Sequence, residues 1–156
     1  MAQKTEVTLS YASSVSRACF SPSAVAFMAG GSGITPFYSM AAAIVSGLED
    51  FNLTILYGSR TSDNILLKEE LEELAQNSGG KVKVIHVLSD EEKAGYEHGF
   101  ITAELIRKYA PKKYSLFICG PKPLHAFADE QVKKLGLKPK HVRRELHLML
   151  SLYPLS

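Results

Sequence analysis

The segment Gly30-Gly31-Ser32-Gly33-Ile34-Thr35-Pro36 joins an apolar run, Ala24–Ala29, to a stretch of helix-forming residues. Glycines at such a junction let the chain turn tightly and bring its N–H groups against a ligand with no side chain between. Thr35 is a good helix N-cap, and Pro36 suits the first helical position, where a missing N–H costs nothing. A helix from about Pro36 to Leu48 would aim its positive end over the glycines, and a phosphate is the group such an end takes. No Gly-Lys-Ser/Thr follows, so this is not a Walker loop, and the final glycine of the standard dinucleotide fingerprint is missing. On this segment alone, a plain strand-to-helix turn is the competing reading.

The rest of the chain supplies the elements that would hold such a loop. Leu53–Tyr57 is a short β-prone run ended by Gly58. Ile65–Gln76 carries Leu66, Leu67, Leu71 and Leu74 among acids, the pattern of an amphipathic helix. Val82–Leu88 reads as a third strand, Ser89–Gly99 as a polar loop and Thr102–Tyr109 as a helix. Tyr114–Cys119 is a fourth strand closed by Gly120-Pro121. A helix from Pro123 to Leu135 stops at Gly136, and Val142–Leu146 makes a fifth strand. This alternation predicts an α/β fold: a doubly wound five-stranded parallel sheet, order 3-2-1-4-5, with helices on both faces. In such sheets ligands bind beyond the carboxyl ends of the strands where the order reverses. Here that crevice lies between the first and fourth strands, so Gly30–Thr35 and Cys119-Gly120-Pro121 converge on it. Two constrained glycine loops meeting there point to a nucleotide site.

Composition narrows the class further. A chain of 156 residues fits one domain with a sizeable core. A charged fraction of 22% and a hydrophobic fraction of 46% are those of an ordinary globular protein. The net charge of +2 is too small to argue for nucleic acid. No apolar run is long enough to span a bilayer, and the first residues lack a signal core. Cys19 and Cys119 make neither a disulfide framework nor a metal site, and the histidines show no ligand spacing. A cytoplasmic, metal-free protein is expected. Its nucleotide-binding domain would cover 24–146, preceded by a linker or domain remnant over 1–23 and followed by a tail over 147–156.

With Tyr57-Gly58-Ser59-Arg60, Gly99-Phe100-Ile101-Thr102 and Cys119-Gly120-Pro121 following the first loop in order, the chain resembles a known family. From Ser23 to Leu146 it is similar to the pyridine-nucleotide-binding, C-terminal domain of the ferredoxin–NADP reductase family. The resemblance implies a nicotinamide-dinucleotide module, NAD(P)H-dependent, working with a flavin-binding β-barrel that holds FAD or FMN. Electrons would pass on to a one-electron carrier such as a ferredoxin or an iron–sulfur domain. It implies that Gly30, Gly31, Gly33 and Thr35, with Ser32, Ile34 and Pro36 in the same loop, line the pyrophosphate and nicotinamide end. Cys119 would position the nicotinamide for hydride transfer, beside Gly120 and Pro121. Arg60, after Gly58 and Ser59, would lie near the adenosine ribose, and Phe100 and Thr102 would close the adenine side. NADP-preferring relatives commonly carry Ser-Arg where this chain has Ser89-Asp90, so weak discrimination, under roughly tenfold and tilted towards NADH, is expected.

Departures from the family qualify these roles. The flavin-binding Arg-x-Tyr-Ser/Thr motif is absent, and Met1–Ser23 is far shorter than a barrel of ~100 residues. The flavin domain is therefore expected from the same gene or a separate subunit, and the isolated chain is expected to be inactive. After Glu145-Leu146, His147-Leu148-Met149-Leu150 replaces the family's Phe-Gly. Simpler readings stand beside the functional ones. Cys119 suits a core position, Arg60 a solvated charge or a partner for Asp63, and Tyr57 and Phe37 the core. A stand-alone nucleotide-binding or regulatory domain without redox turnover is the alternative function.

Overall fold

A computed structural model describes residues 24–145. Six strands form one sheet: β1 (Ala24–Gly30), β2 (Asn52–Ser59), β3 (Val82–Leu88), β4 (Glu97–His98), β5 (Ser115–Cys119) and β6 (Val142–Glu145). Their order is β4-β3-β2-β1-β5-β6, and every neighbouring pair is parallel. The helices are α1 (Thr35–Val45), α2 (Lys68–Gln76), α3 (Ala103–Tyr109) and α4 (Lys122–Leu135).

β1 is central because both of its faces are apolar, the mark of a parallel strand covered on each side. Val25, Phe27 and Ala29 join one core with Phe37, Met40 and Ile44 of α1 and Leu71 of α2. Ala26 and Met28 join the other core with Ile106 of α3 and Ala128 of α4. Phe27 and Phe37 stack with ring centroids 3.9 Å apart, and both are fully buried, so Phe37 is core as expected. The sheet order and its helix layers are those read from the sequence, with one strand added at the edge.

That added strand, β4, lies within the segment expected to be loop. The Gly99 N–H donates to the Leu88 carbonyl at 2.8 Å, which draws Glu97 and His98 alongside the end of β3. Helix boundaries also differ. Thr35 is the first residue of α1 rather than its cap: a 3-10 turn, Gly31–Ile34, precedes it, and the Thr35 hydroxyl donates back to the Ser32 carbonyl at 3.2 Å. α1 ends at Val45, where Ser46 and a left-handed Gly47 stop it short of Leu48. α2 starts at Lys68, not Ile65, because Leu67 takes a left-handed conformation at φ 57°. α4 starts one residue early, at Lys122.

The linker expected over 1–23, the tail over 147–156 and the Leu146–Leu150 comparison with the family lie outside the described residues. Among those described, no helix is long and apolar enough to cross a membrane, and no group of three or more His, Cys, Asp or Glu is placed to hold a metal ion.

Candidate functional site

A cleft of about 540 Å³ opens at the carboxyl ends of β1, β2 and β3, on the side covered by α3 and α4. Backbone forms one wall, through Gly30 and Gly31 at the end of β1 and Gly58, Ser59 and Arg60 at the end of β2. Apolar side chains form the other, chiefly Ile101, Leu124 and Phe127. Phe100 stands over it, 66% exposed, its ring 5.7 Å from that of Phe127. An exposed aromatic beside a half-buried one is a surface on which a flat ring can stack. Ser59 belongs to the lining, but it follows Tyr57 by two residues on the same face of β2, and its hydroxyl is buried beside the Tyr57 hydroxyl.

The two glycine loops meet by direct backbone packing. A Cβ on Gly33 would fall 2.2 Å from the Cys119 carbonyl oxygen and 2.9 Å from Gly120 Cα. A Cβ on Gly120 would meet the end of the Leu124 side chain at 2.6 Å and the Gly30 backbone at 3.3 Å. Glycine at 33 is therefore required by the contact between the loops, whether or not a ligand is near. Gly31 differs: nothing lies within 4 Å of its Cβ position, but its φ of 54° is left-handed. On the far side, the buried His125 donates from Nε2 to the Gly120 carbonyl at 3.2 Å, steadying that loop from α4.

Arg60 and Asp90 sit together on the rim. β2 and β3 keep their backbone pairing past their ends, with Ser89 N–H donating to the Ser59 carbonyl at 3.0 Å and Asp90 N–H to the Arg60 carbonyl at 2.9 Å. The side chains then meet, Arg60 Nε donating to Asp90 Oδ2 at 2.8 Å. Arg60 thus pairs with Asp90, thirty positions away in sequence and not with the nearby Asp63. The Ser89 hydroxyl donates to the other carboxylate oxygen at 2.9 Å. Bonding first to Arg60 and then to Ser89 holds the Asp90 carboxyl below its ordinary range, so it is ionised at neutral pH.

Cys119, at the end of β5, is half-buried and packs against the α1-side core. Burial pushes its thiol up to about 11. It is a neutral thiol at physiological pH, suited to van der Waals contact rather than to thiolate chemistry. In the sheet register Cys119 stands beside Glu145 of β6.

Cys119 is not among the residues lining the cleft, and the other residues singled out from the sequence divide into three groups. Gly30, Gly31, Gly58, Ser59, Arg60, Ser89, Phe100 and Pro121 line the cleft together. Ser32, Thr35 and Asp90 are exposed at its mouth or beside it. Gly33, Ile34, Pro36 and Gly120 are buried beneath the loops, and Thr102 caps α3 by accepting the Leu105 N–H at 3.3 Å. The lining also holds Asn64, Val87, Gly99, Ile101, Pro123, Leu124 and Phe127, which the sequence does not single out as site residues. Leu124 and Phe127 project from the first turns of α4, and their spacing was the only signal available.

Comparison with known proteins agrees with this geometry. The model of a family described as "Oxidoreductase NAD-binding domain" matches residues 27–130. Nitrate reductase [NADH] 2 of Nicotiana tabacum is 39% identical over 119 residues, covering 72% of this chain and 13% of its own. NADH-cytochrome b5 reductase 1 of Lodderomyces elongisporus is 38% identical over 115 residues, covering 70% of this chain and 38% of its own. The chain thus spans well under half the length of these relatives. The crystal structure of the cytochrome b5 reductase domain of Ulva prolifera nitrate reductase superposes with a TM-score of 0.71 at 28% identity, over 79% of this chain and 50% of that one.

Proposed function

The chain belongs to the oxidoreductase NAD-binding domain family, and on that premise we propose that it is the nicotinamide-nucleotide module of a flavin-dependent NADH oxidoreductase. The observation that carries this reading is the convergence of the Gly30–Thr35 and Cys119–Pro121 loops at one cleft floored by apolar side chains. The residues fit a dinucleotide. Phe100 and Phe127 offer a face to a base, the exposed Gly31-Ser32 turn a place for phosphates, and Cys119 the end nearest β6. The printed names of the relatives support NADH as donor and an electron-transfer acceptor that differs between them.

When bound, the nicotinamide supplies a hydride and a flavin accepts it. This chain's share is orientation. The glycine loop would hold the diphosphate, Arg60 and Asp90 would meet the adenosine ribose, and the neutral Cys119 thiol would set the height of the nicotinamide ring. We assign the flavin to a β-barrel domain, in the same gene or a separate subunit, and the onward step to a one-electron carrier such as a ferredoxin or an iron–sulfur domain. Cys119 forms no disulfide among the described residues, which fits a reducing compartment such as the cytoplasm.

Hydride transfer needs donor and acceptor in near-attack geometry, and this chain orients the donor alone. The full chain should therefore bind NADH, seen by fluorescence titration, yet not reduce ferricyanide at a useful rate until a flavin domain is added in trans. Steady NADH oxidation with no flavin added would overturn the reading, as would failure to bind NADH at all.

The role given to Cys119 has its own check. In the protein carrying both domains, Cys119→Ser should leave the melting temperature nearly unchanged and slow flavin reduction roughly tenfold, because a small misplacement of the ring is costly. A rapid-reaction rate within twofold of the wild type would return Cys119 to the core.

A further inference from the structure

Tyr57 is fully buried, yet its hydroxyl reaches two backbone groups outside its own strand. It donates to the Gly31 carbonyl at 3.2 Å and accepts the Leu66 N–H at 3.1 Å. Burial pushes the phenol above its ordinary value, so it stays protonated as a donor. Left-handed backbone occurs at one partner and next to the other. Gly31 has φ 54°, and Leu67, next to Leu66, has φ 57°, a conformation that L side chains rarely adopt. One hydroxyl therefore ties β2 to the glycine loop and to the turn before α2.

The consequence follows from peptide geometry. A trans peptide is planar, so a carbonyl and the N–H that follows it point in opposite directions. With the Gly31 carbonyl drawn down to Tyr57 in the core, the Ser32 N–H must point up, from the part of the loop where Gly31 and Ser32 are exposed. We propose that Tyr57 is a positioning residue for diphosphate recognition: its hydroxyl fixes the Gly31–Ser32 peptide so that the Ser32 N–H faces the bound pyrophosphate. This rests on the reading of the glycine loop given above. Tyr57 acts through the loop and does not touch the nucleotide.

Tyr57→Phe keeps the ring in the core, 5.8 Å from that of His86, and removes only the hydroxyl. The full chain, wild type and variant, is titrated by NMR with ADP-ribose, which carries the diphosphate, and with adenosine, which does not. ADP-ribose should bind the variant about tenfold more weakly, because the loop must now be ordered on binding, while adenosine should be unchanged within twofold. Equal affinity of both proteins for ADP-ribose would overturn the proposal. So would equal weakening of both ligands, which would mean that the whole cleft had shifted. If the wild type takes adenosine but not ADP-ribose, the glycine-loop reading itself falls, a distinct result. A second measurement does not depend on how the variant folds: in the wild type, saturating ADP-ribose should slow exchange of the Ser32 amide hydrogen and adenosine should not. Unchanged Ser32 exchange with ADP-ribose bound would also overturn the proposal.

Discussion

Gly33→Ala is expected to destabilise the chain by about 3 kcal/mol or more and to weaken NADH binding at least a hundredfold. The reason is the identity of the atoms a methyl group would strike. At 2.2 Å from the Cys119 carbonyl oxygen and 2.6 Å from its carbon, the new Cβ meets backbone of a central parallel strand, which cannot swing aside as a side chain can. Relief requires the two loops to part, and parting them opens the crevice on which the proposed site depends. Two neighbouring glycines set the scale. Gly120→Ala meets the tip of Leu124 at 2.6 Å, a flexible side chain that can change rotamer, so its cost should be smaller. Gly31→Ala meets nothing, and its cost of about 1 kcal/mol comes from the left-handed backbone alone. Urea denaturation of the three variants should rank them Gly33, Gly120, Gly31 in order of decreasing loss. A Gly33→Ala variant within 1 kcal/mol of the wild type would mean that the loops do not touch as described.

This ranking also shows what was legible in the sequence. β1 is legible, since a short run of six apolar residues closed by glycines suits a strand buried on both faces, and its central place in the sheet sets where the loops converge. The glycines are visible too, but the sequence offers the same two reasons for all of them, a tight turn and close approach to a ligand. The structure separates Gly33, which is held to glycine by packing, from Gly31, which is held by its φ. What stayed hidden depends on contacts between segments distant in the chain. Nothing local in Tyr57 distinguishes a core ring from one whose hydroxyl holds two loops. Phe127 and Leu124 carry no mark of a site in the sequence, because the same apolar face of α4 covers the sheet and floors the cleft. The short β4 exists only because Gly99 turns back onto Leu88, a bond that residue types do not announce.

The Arg60–Asp90 pair was another such hidden contact, and it carries the largest expected change in specificity. From the sequence, Arg60 reads as a contact for the ribose, a solvated charge or a partner for Asp63, and Asp90 as a charge facing the ribose. In the structure each is bonded to the other, with Arg60 81% and Asp90 43% exposed at the cleft rim. An adenosine with a free 2′-hydroxyl can donate to the ionised Asp90 without disturbing that pair. A 2′-phosphate brings nearly two negative charges at neutral pH and must either face Asp90 or draw Arg60 away from it. Because the pair is solvated and screened, the wild type should prefer NADH by less than roughly tenfold. Asp90→Arg removes the repelling carboxylate, frees Arg60 and adds a second cation in one step. We expect it to swing the ratio of NADPH to NADH affinity by about a hundredfold, and to do so less at high salt, as attraction between exposed charges must. Arg60→Ala, by contrast, leaves Asp90 unpartnered by its arginine and should weaken NADPH more than NADH. Fluorescence titration of both cofactors into the wild type and the two variants, at low and high ionic strength, decides the matter. A wild-type preference for NADPH above a hundredfold, or an Asp90→Arg ratio within threefold of the wild type, would mean that Asp90 does not face the ribose.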